Sequence, residues 1–166
     1  GINIMPTINY NEEELKTLLN NISKELPDAV VESGYYIDGK KLIITKGNDG
    51  YIVNTDATAK KIVEKLSNFN YINEVIELET IQKSPDEINI DKIYSEVHKE
   101  PKDAYVTKNP TKVHTHVNGV DFAISMDEAK KIIKEEKDEY VIPLKITLAK
   151  KTIADLGEEA FPDKLS

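Results

Sequence analysis

The sequence predicts an α+β fold built from two copies of one small unit, each with a short sheet packed against helices. Three short sequences recur in the same order, separated by 75, 70 and 66 residues, which indicates an internal duplication. The steadily shrinking separation predicts shorter loops in the second copy. The recurring sequences are DA at Asp28 and Asp103, AKKI at Ala59 and Ala129, and VIEL at Val75, which returns as VIPL at Val141.

The first predicted element is a helix that begins after Asn11 and ends before Pro27. Asn11 can cap the helix, with Glu14 three residues later in a capping-box arrangement. Apolar residues then follow at helical spacing and predict one buried stripe. They are Leu15, Leu18, Leu19, Ile22 and Leu26.

The rest of the first copy reads as strand, turn, strand, helix and strand. The turn is placed at Asp38–Gly39, because Asp-Gly is a strong hairpin signal. The second helix is predicted from about Thr55 to Asn68, and the segment EVIELETI alternates like a half-buried strand. The helix should bury one face formed by Ala59, Ile62, Val63 and Leu66.

The second copy repeats that order. A short helix before Pro101 is followed by a strand in DAYVT and by a strand in KVHTHVNGVDF with a turn at its Asn-Gly. Ser125 and Glu128 predict another capped helix. The last strand, EYVIPLKITLAK, contains Pro143, which favours an edge strand or a bulge.

These elements predict two units over about 11–78 and 89–146, with the linker ETIQKSPDEI as the crossover. The corresponding division of the chain is a first repeat over 1–82, a second repeat over 83–156 and a junction over 157–166. We expect helix-against-sheet packing in each repeat.

Composition excludes several classes of function. A net charge of −8, with lysines interspersed among acidic residues, argues against nucleic-acid binding, which needs a concentrated cationic surface. The absence of cysteine excludes disulfides, thiolate zinc sites and cysteine nucleophiles from this chain. No apolar run is long enough to span a bilayer.

Histidine and acidic pairs allow catalytic or metal-binding interpretations. His114 and His116 would share one face of a predicted strand and could supply two metal ligands, although spacing marks no third. Glu77 and Glu79 could act as acid and base, but their alternation with apolar residues favours a solvent-facing strand surface. We therefore expect no metal, no cofactor and no catalytic residue.

Tyrosines are the better candidates for a binding surface. Sugars stack their C–H faces on aromatic rings, and tyrosine adds a hydroxyl. Tyr35 and Tyr36 are adjacent, so on a strand they would point to opposite faces and at least one would be exposed. The candidate binding residues are Tyr35, Tyr36, Tyr105, His114 and His116.

The pattern PKDAYV, VNGVDF, SMDEAKKII, YVIPLKIT and TIADL resembles the peptidoglycan-binding repeat that precedes the VanW domain in bacterial cell-envelope proteins. Related repeats precede L,D-transpeptidase domains. The resemblance runs from about Asn11 to Leu165, and the segment TIADLGEEAFPDKLS resembles the junction with a downstream VanW-type domain. The family supplies no ligand-contacting residues that could be carried over to this chain.

The resemblance implies a non-catalytic, extracellular module of a Gram-positive bacterium that associates with the cell wall and binds peptidoglycan. The full-length protein is expected to be anchored in the membrane through a segment outside this sequence, and the chain to be a monomer. An alternative is a structural stalk or protein-interaction domain that positions the downstream domain without binding glycan. A rival from another class is a fragment of a cell-wall hydrolase or transpeptidase.

Overall fold

The computed structural model describes residues 11–67 and 75–160, in which the chain forms five helices and eight strands. The helices are α1 (Glu12–Lys24), α2 (Thr55–Ser67), α3 (Ile90–Val97), α4 (Met126–Ile132) and α5 (Ile153–Ala160). The strands are β1 (Gly34–Asp38), β2 (Lys41–Thr45), β3 (Gly50–Val53), β4 (Thr80–Lys83), β5 (Tyr105–Thr107), β6 (Lys112–His114), β7 (Gly119–Phe122) and β8 (Glu139–Thr147). Helices and small antiparallel sheets confirm the α+β class.

Each half of the chain has the same element order: helix, three strands, helix, strand. The predicted caps are present, since the Asn11 side chain accepts from the Glu13 and Glu14 amides and the Ser125 hydroxyl accepts from the Glu128 amide. The predicted end of the second helix at Asn68 and residues 161–166 of the predicted junction lie outside the described residues.

The chain divides into two compact units that do not follow its halves. The first unit contains Gly1–Ser33 and Gly47–Asp86, and the second contains Gly34–Lys46 and Glu87–Ser166. The β1–β2 hairpin of the first half therefore belongs to the unit formed by the second half. Gly39, the first of the two residues between these strands, has φ of 58°, a value that glycine adopts without steric cost. The predicted hairpin at Asp38–Gly39 is confirmed.

In the first unit, α1 packs on β3 and α2 around buried Leu19, Val53 and Ala59. Strands β3 and β4 form a two-stranded sheet. The prediction for Leu18 is wrong: its side chain is exposed, because it lies beside the stripe that faces β3 and α2.

The second unit contains a four-stranded antiparallel sheet in the order β1-β2-β8-β7. One face of this sheet packs against α3 and α4, since alternate residues of β2 and β8 point into the same core. The buried residues of this core are Leu42, Ile44, Ile90, Ile93, Val97, Phe122, Ala129, Tyr140, Ile142 and Leu144.

Pro143 lies in a central strand, so the predicted edge position or bulge is wrong. The Leu144 amide donates to the Lys40 carbonyl (2.8 Å), which places the N–H side of Pro143 away from β2. On the other side, Pro143 faces Ala123, just beyond the end of β7, and its carbonyl accepts from the Ala123 amide (2.8 Å). The sheet tolerates proline there because the missing N–H falls where the β7 ladder has ended.

Two other strand predictions are wrong. The predicted EVIELETI strand starts only at Thr80, inside the predicted linker, and residues 75–79 form no strand. The Asn118–Gly119 pair makes no hairpin turn, because β6 pairs with β5 whereas β7 pairs with β8. Instead, the Asn118 side chain accepts from the Ala149 amide (3.0 Å).

Backbone hydrogen bonds show which positions of the two halves correspond. Val31 and Asn48 exchange two bonds in the first half, as Lys102 and Val117 do in the second. Each pair encloses a hairpin, β1–β2 in the first case and β5–β6 in the second. The Asn54 amide also donates to the Glu79 carbonyl as the Ala123 amide donates to Pro143. The halves therefore share hydrogen bonds at equivalent positions as well as element order. These bonds align Val75 with Glu139, so the predicted match of Val75 with Val141 is two residues out of register.

Candidate functional site

The face of the four-stranded sheet that points away from α3 and α4 carries Tyr36. Its cross-strand neighbours on this face are Ile43 on β2 and Val141 on β8. Polar side chains flank this apolar row on the same face, because strand residues alternate between faces. They are Thr45 and Glu139 at one end, and Asp38 and Lys41 at the other. We call these residues the Tyr36 face.

The Tyr36 side chain is 52% exposed, and its hydroxyl donates to Glu139 Oε1 over 3.4 Å. Partial desolvation raises the pKa of Tyr36, and the carboxylates of Glu139 and Asp38 raise it further. The phenol is therefore neutral near pH 7 and can both donate and accept hydrogen bonds. An exposed ring beside carboxylates and an ammonium group suits a ligand with C–H faces and hydroxyl or amide groups.

Tyr35 points to the opposite face, as the alternation predicts, and lies opposite Ile44. Its hydroxyl donates to the carboxylate of Glu96 on α3, and this bond is the main cause that raises the pKa of Tyr35. Both adjacent tyrosines remain partly exposed. Because the Tyr35 hydroxyl already binds α3, this residue attaches β1 to the helix layer, and Tyr36 is the freer ring.

Tyr105 and His114 lie opposite each other on the β5–β6 hairpin and stack at 4.3 Å between ring centroids, with 6° between their planes. His114 Nε2 also lies 3.3 Å from Thr107 Oγ1. These side chains form a small aromatic surface separate from the Tyr36 face.

His116 does not share a strand face with His114, because β6 ends at His114. Its Nδ1 atom is buried without a hydrogen-bond partner. Within residues 11–67 and 75–160, no three His, Cys, Asp or Glu residues converge in a way that could hold a metal ion. The predicted shared strand face of the two histidines is therefore wrong.

The acidic pair predicted on one strand face is also wrong, because Glu77 and Glu79 lie in the segment that forms no strand. Glu79 forms an ion pair with Lys61 on α2. It therefore takes part in the packing of the first unit rather than in an acid–base pair.

A polar network that the sequence did not predict joins α3 to β7. The Tyr94 hydroxyl donates to Asp121 Oδ1 (3.0 Å), and the Tyr94 ring stacks on His98 with centroids 5.1 Å apart. His98 Nε2 lies 2.8 Å from Glu100, and Nδ1 lies 3.6 Å from Asp121. The four-residue spacing of Tyr94 and His98 on a helix could have indicated their contact. The position of Asp121 depends on tertiary structure.

The network makes the second unit sensitive to pH. The hydrogen bond to Glu100, together with the charges of Glu100 and Asp121, raises the pKa of His98 above its usual 6.5. Because the folded state holds the proton more tightly, this stabilisation is complete below about pH 6 and is lost as pH rises through the folded pKa. Urea unfolding of the wild type should thus show a loss of stability as the pH rises above about 6, and His98→Gln should lack this loss. Equal pH dependence in both proteins would contradict the assignment.

A shallow groove of about 380 Å³ lies between α1 and α2 in the first unit. Part of its charged lining is paired, since Lys16 bridges Glu12 (3.2 Å) and Asp56 (3.3 Å). The groove also contains no aromatic ring on which a sugar could stack.

Comparison with known proteins adds one match. No curated protein and no solved structure matches the chain. In the described parts of the chain, no helix has both the length and the apolar character needed to cross a membrane. Residues 1–73 match the family model described as "Putative peptidoglycan binding domain", a range that includes the whole β1–β2 hairpin. The N-terminal part of the chain is therefore similar to a peptidoglycan binding domain, which supports association with the cell wall.

Proposed function

We propose that the chain is a non-catalytic, extracytoplasmic module that binds peptidoglycan within a VanW-like envelope protein. The observation that carries this proposal is the match of residues 1–73 to a peptidoglycan binding domain. The shared element order of the two halves supports a second copy of that domain in the second half. A segment outside this sequence would anchor the protein to the outer face of the membrane.

We further propose that the Tyr36 face contacts the glycan. Three residues of this face that differ in chemistry lie inside the matched range 1–73: Tyr36, Asp38 and Lys41. The Tyr36 ring can stack on a sugar, while Asp38 and Lys41 can bond hydroxyl and acetamido groups around it. Glu139 adds a carboxylate from β8. The pairing of β2 with β8 brings these groups together on one surface.

The net charge of −8 shapes the expected binding mode. An acidic chain is repelled by the phosphates of teichoic acid, so bulk electrostatic attraction to the wall is unfavourable. Retention on peptidoglycan should then depend on stacking and hydrogen bonds, which salt weakens little.

The test is retention of the purified chain on insoluble peptidoglycan over a salt series. Because aromatic contacts contribute roughly 0.5–1.5 kcal/mol beyond buried area, Tyr36→Ala should weaken retention up to about tenfold. Tyr105→Ala is the matched control, since Tyr105 is similarly exposed but lies on another hairpin. That variant should be retained like the wild type.

Three other results would count against the proposal. Loss of wild-type retention in modest salt would indicate nonspecific adhesion. Retention that depends on Tyr105 but not on Tyr36 would place the contact on the β5–β6 hairpin. Absence of retention at every salt concentration would favour a stalk that positions a neighbouring domain.

A further inference from the structure

The β1–β2 hairpin completes the sheet of the second unit by adding to the edge of β8. Ile44 lies opposite Tyr140, and Ile43 lies opposite Val141. Ile44 is fully buried by this addition, because β8 and the helices behind it cover its side chain. One half of the chain thus supplies a hairpin and the other half supplies the strand edge that receives it.

The first unit contains the equivalent of the receiving edge. The matching bonds from Asn54 to Glu79 and from Ala123 to Pro143 align residues 75–79 with residues 139–143. Ile76 then corresponds to Tyr140, whose backbone faces β2. In the described part of the chain, the backbone groups of Ile76 and Leu78 have no hydrogen-bond partner. Val75 is 87% exposed.

The second unit contains the equivalent of the hairpin. Tyr105 pairs with His114 in β5–β6 as Gly34 pairs with Thr45 in β1–β2. The next pair toward the turn is Val106 with Val113 in β5–β6, and it corresponds to Tyr35 with Ile44 in β1–β2. Val106 is 47% and Val113 is 58% exposed, although the equivalent Ile44 is buried. The β5–β6 hairpin forms a sheet of two strands with no further strand beside it in the described residues.

We propose that copies of this chain associate head to tail, with β6 of one copy pairing antiparallel with residues 75–79 of the next. The register of β2 on β8 places Val113 opposite Ile76 and Lys112 opposite Glu77. Opposite charges directly across a strand pair are favourable, so the two surfaces are complementary in charge as well as in backbone pairing. This inference does not depend on glycan binding.

Each copy has one hairpin to donate and one edge to receive it, so the contact is heterologous and can link copies into rings or open chains. The strands of β5–β6 are only three residues long, and we expect association in the micromolar range or weaker. On this proposal the protein is a monomer at low concentration and an assembly of several copies at high concentration.

Sedimentation velocity over a concentration series tests the proposal. The Lys112→Glu variant brings two negative charges together at the contact, and the Glu77→Lys variant brings two positive charges together there. Each variant alone should therefore associate about tenfold more weakly than the wild type. An equimolar mixture of the two variants restores an opposite-charge pair at every contact and should recover wild-type association. Both positions are exposed, and the substitutions should not change the fold.

A second pair of variants distinguishes this contact from nonspecific hydrophobic association. Val113→Asp would bury a charge in the contact and should abolish association, whereas Leu148→Asp, at a residue that is also exposed, should not. A wild type that stays monomeric up to about 1 mM would overturn the proposal. Association that survives Val113→Asp, or that the mixture of charge variants does not recover, would overturn it too.

Discussion

Replacing Leu42 by alanine is expected to lower the free energy of unfolding of the second unit by about 3 kcal/mol. Leu42 is fully buried and pairs with Ile142 in the middle of the core. Truncation removes the transfer free energy of the leucine side chain and leaves a cavity that this sheet can fill only in part. The substitution lies in the first half of the sequence, but its cost should fall on the unit built mainly from the second half.

Urea unfolding followed by hydrogen exchange would measure this effect by unit. Amides of β8 should lose protection, while those of α1 and α2 in the first unit should keep theirs. Ile37→Ala is the matched control, because Ile37 lies opposite Leu42 on the same hairpin but is about half exposed. Its cost should stay below about 1 kcal/mol. A loss of protection confined to α1 and α2 would contradict the unit boundaries.

Gly50→Ala should destabilise the first unit by about 2–3 kcal/mol. A β-carbon at this position would lie 2.5 Å from the Val30 amide nitrogen and 2.6 Å from the Ala29 carbonyl oxygen. Backbone atoms are held by their own hydrogen bonds, here Val30 to Tyr51, so they cannot move aside cheaply. The segment after α1 would have to separate from β3.

Gly34→Ala is the comparison for this prediction. Its β-carbon would meet only Thr45 Oγ1 at 3.5 Å, an ordinary contact, and the change should stay within about 0.5 kcal/mol. Thermal unfolding of both variants would distinguish the cases. Equal midpoints for Gly50→Ala and Gly34→Ala would show that the close approach at β3 does not constrain the fold.

Local patterns were sufficient to predict most elements of this fold. The caps at Asn11 and Ser125 and the hairpin at Asp38–Gly39 depend on residues within a few positions of each other, so sequence reasoning could find them. Strand partners were not predictable in this way. Both VIELE at 75–79 and EYVIP at 139–143 were predicted to lie in strands, yet only the second forms a strand, because only the second receives the β1–β2 hairpin.

The same limit applied to the candidate site. The adjacency of Tyr35 and Tyr36 predicted that at least one ring is exposed, since neighbours on a strand face opposite ways, but it did not single out Tyr36. Its partner Glu139 lies 103 residues away in the chain, and only the pairing of β2 with β8 brings the two together. His116 shows the reverse case: a two-residue spacing predicted a shared face with His114, but the strand ended before His116.

The discontinuous second unit sets the order in which this protein can fold during synthesis. The β1–β2 hairpin leaves the ribosome complete, but Thr45 can pair with β8 only after Glu139, the residue opposite it, has been synthesised. At about 5–20 residues per second, that interval lasts roughly 5–20 s. Throughout it, Leu42 and Ile44 lack the strand and core that cover them in the folded unit. A nascent chain in this state exposes an unpaired strand edge, so its folding yield depends on preventing contact with other nascent chains until β8 has been made.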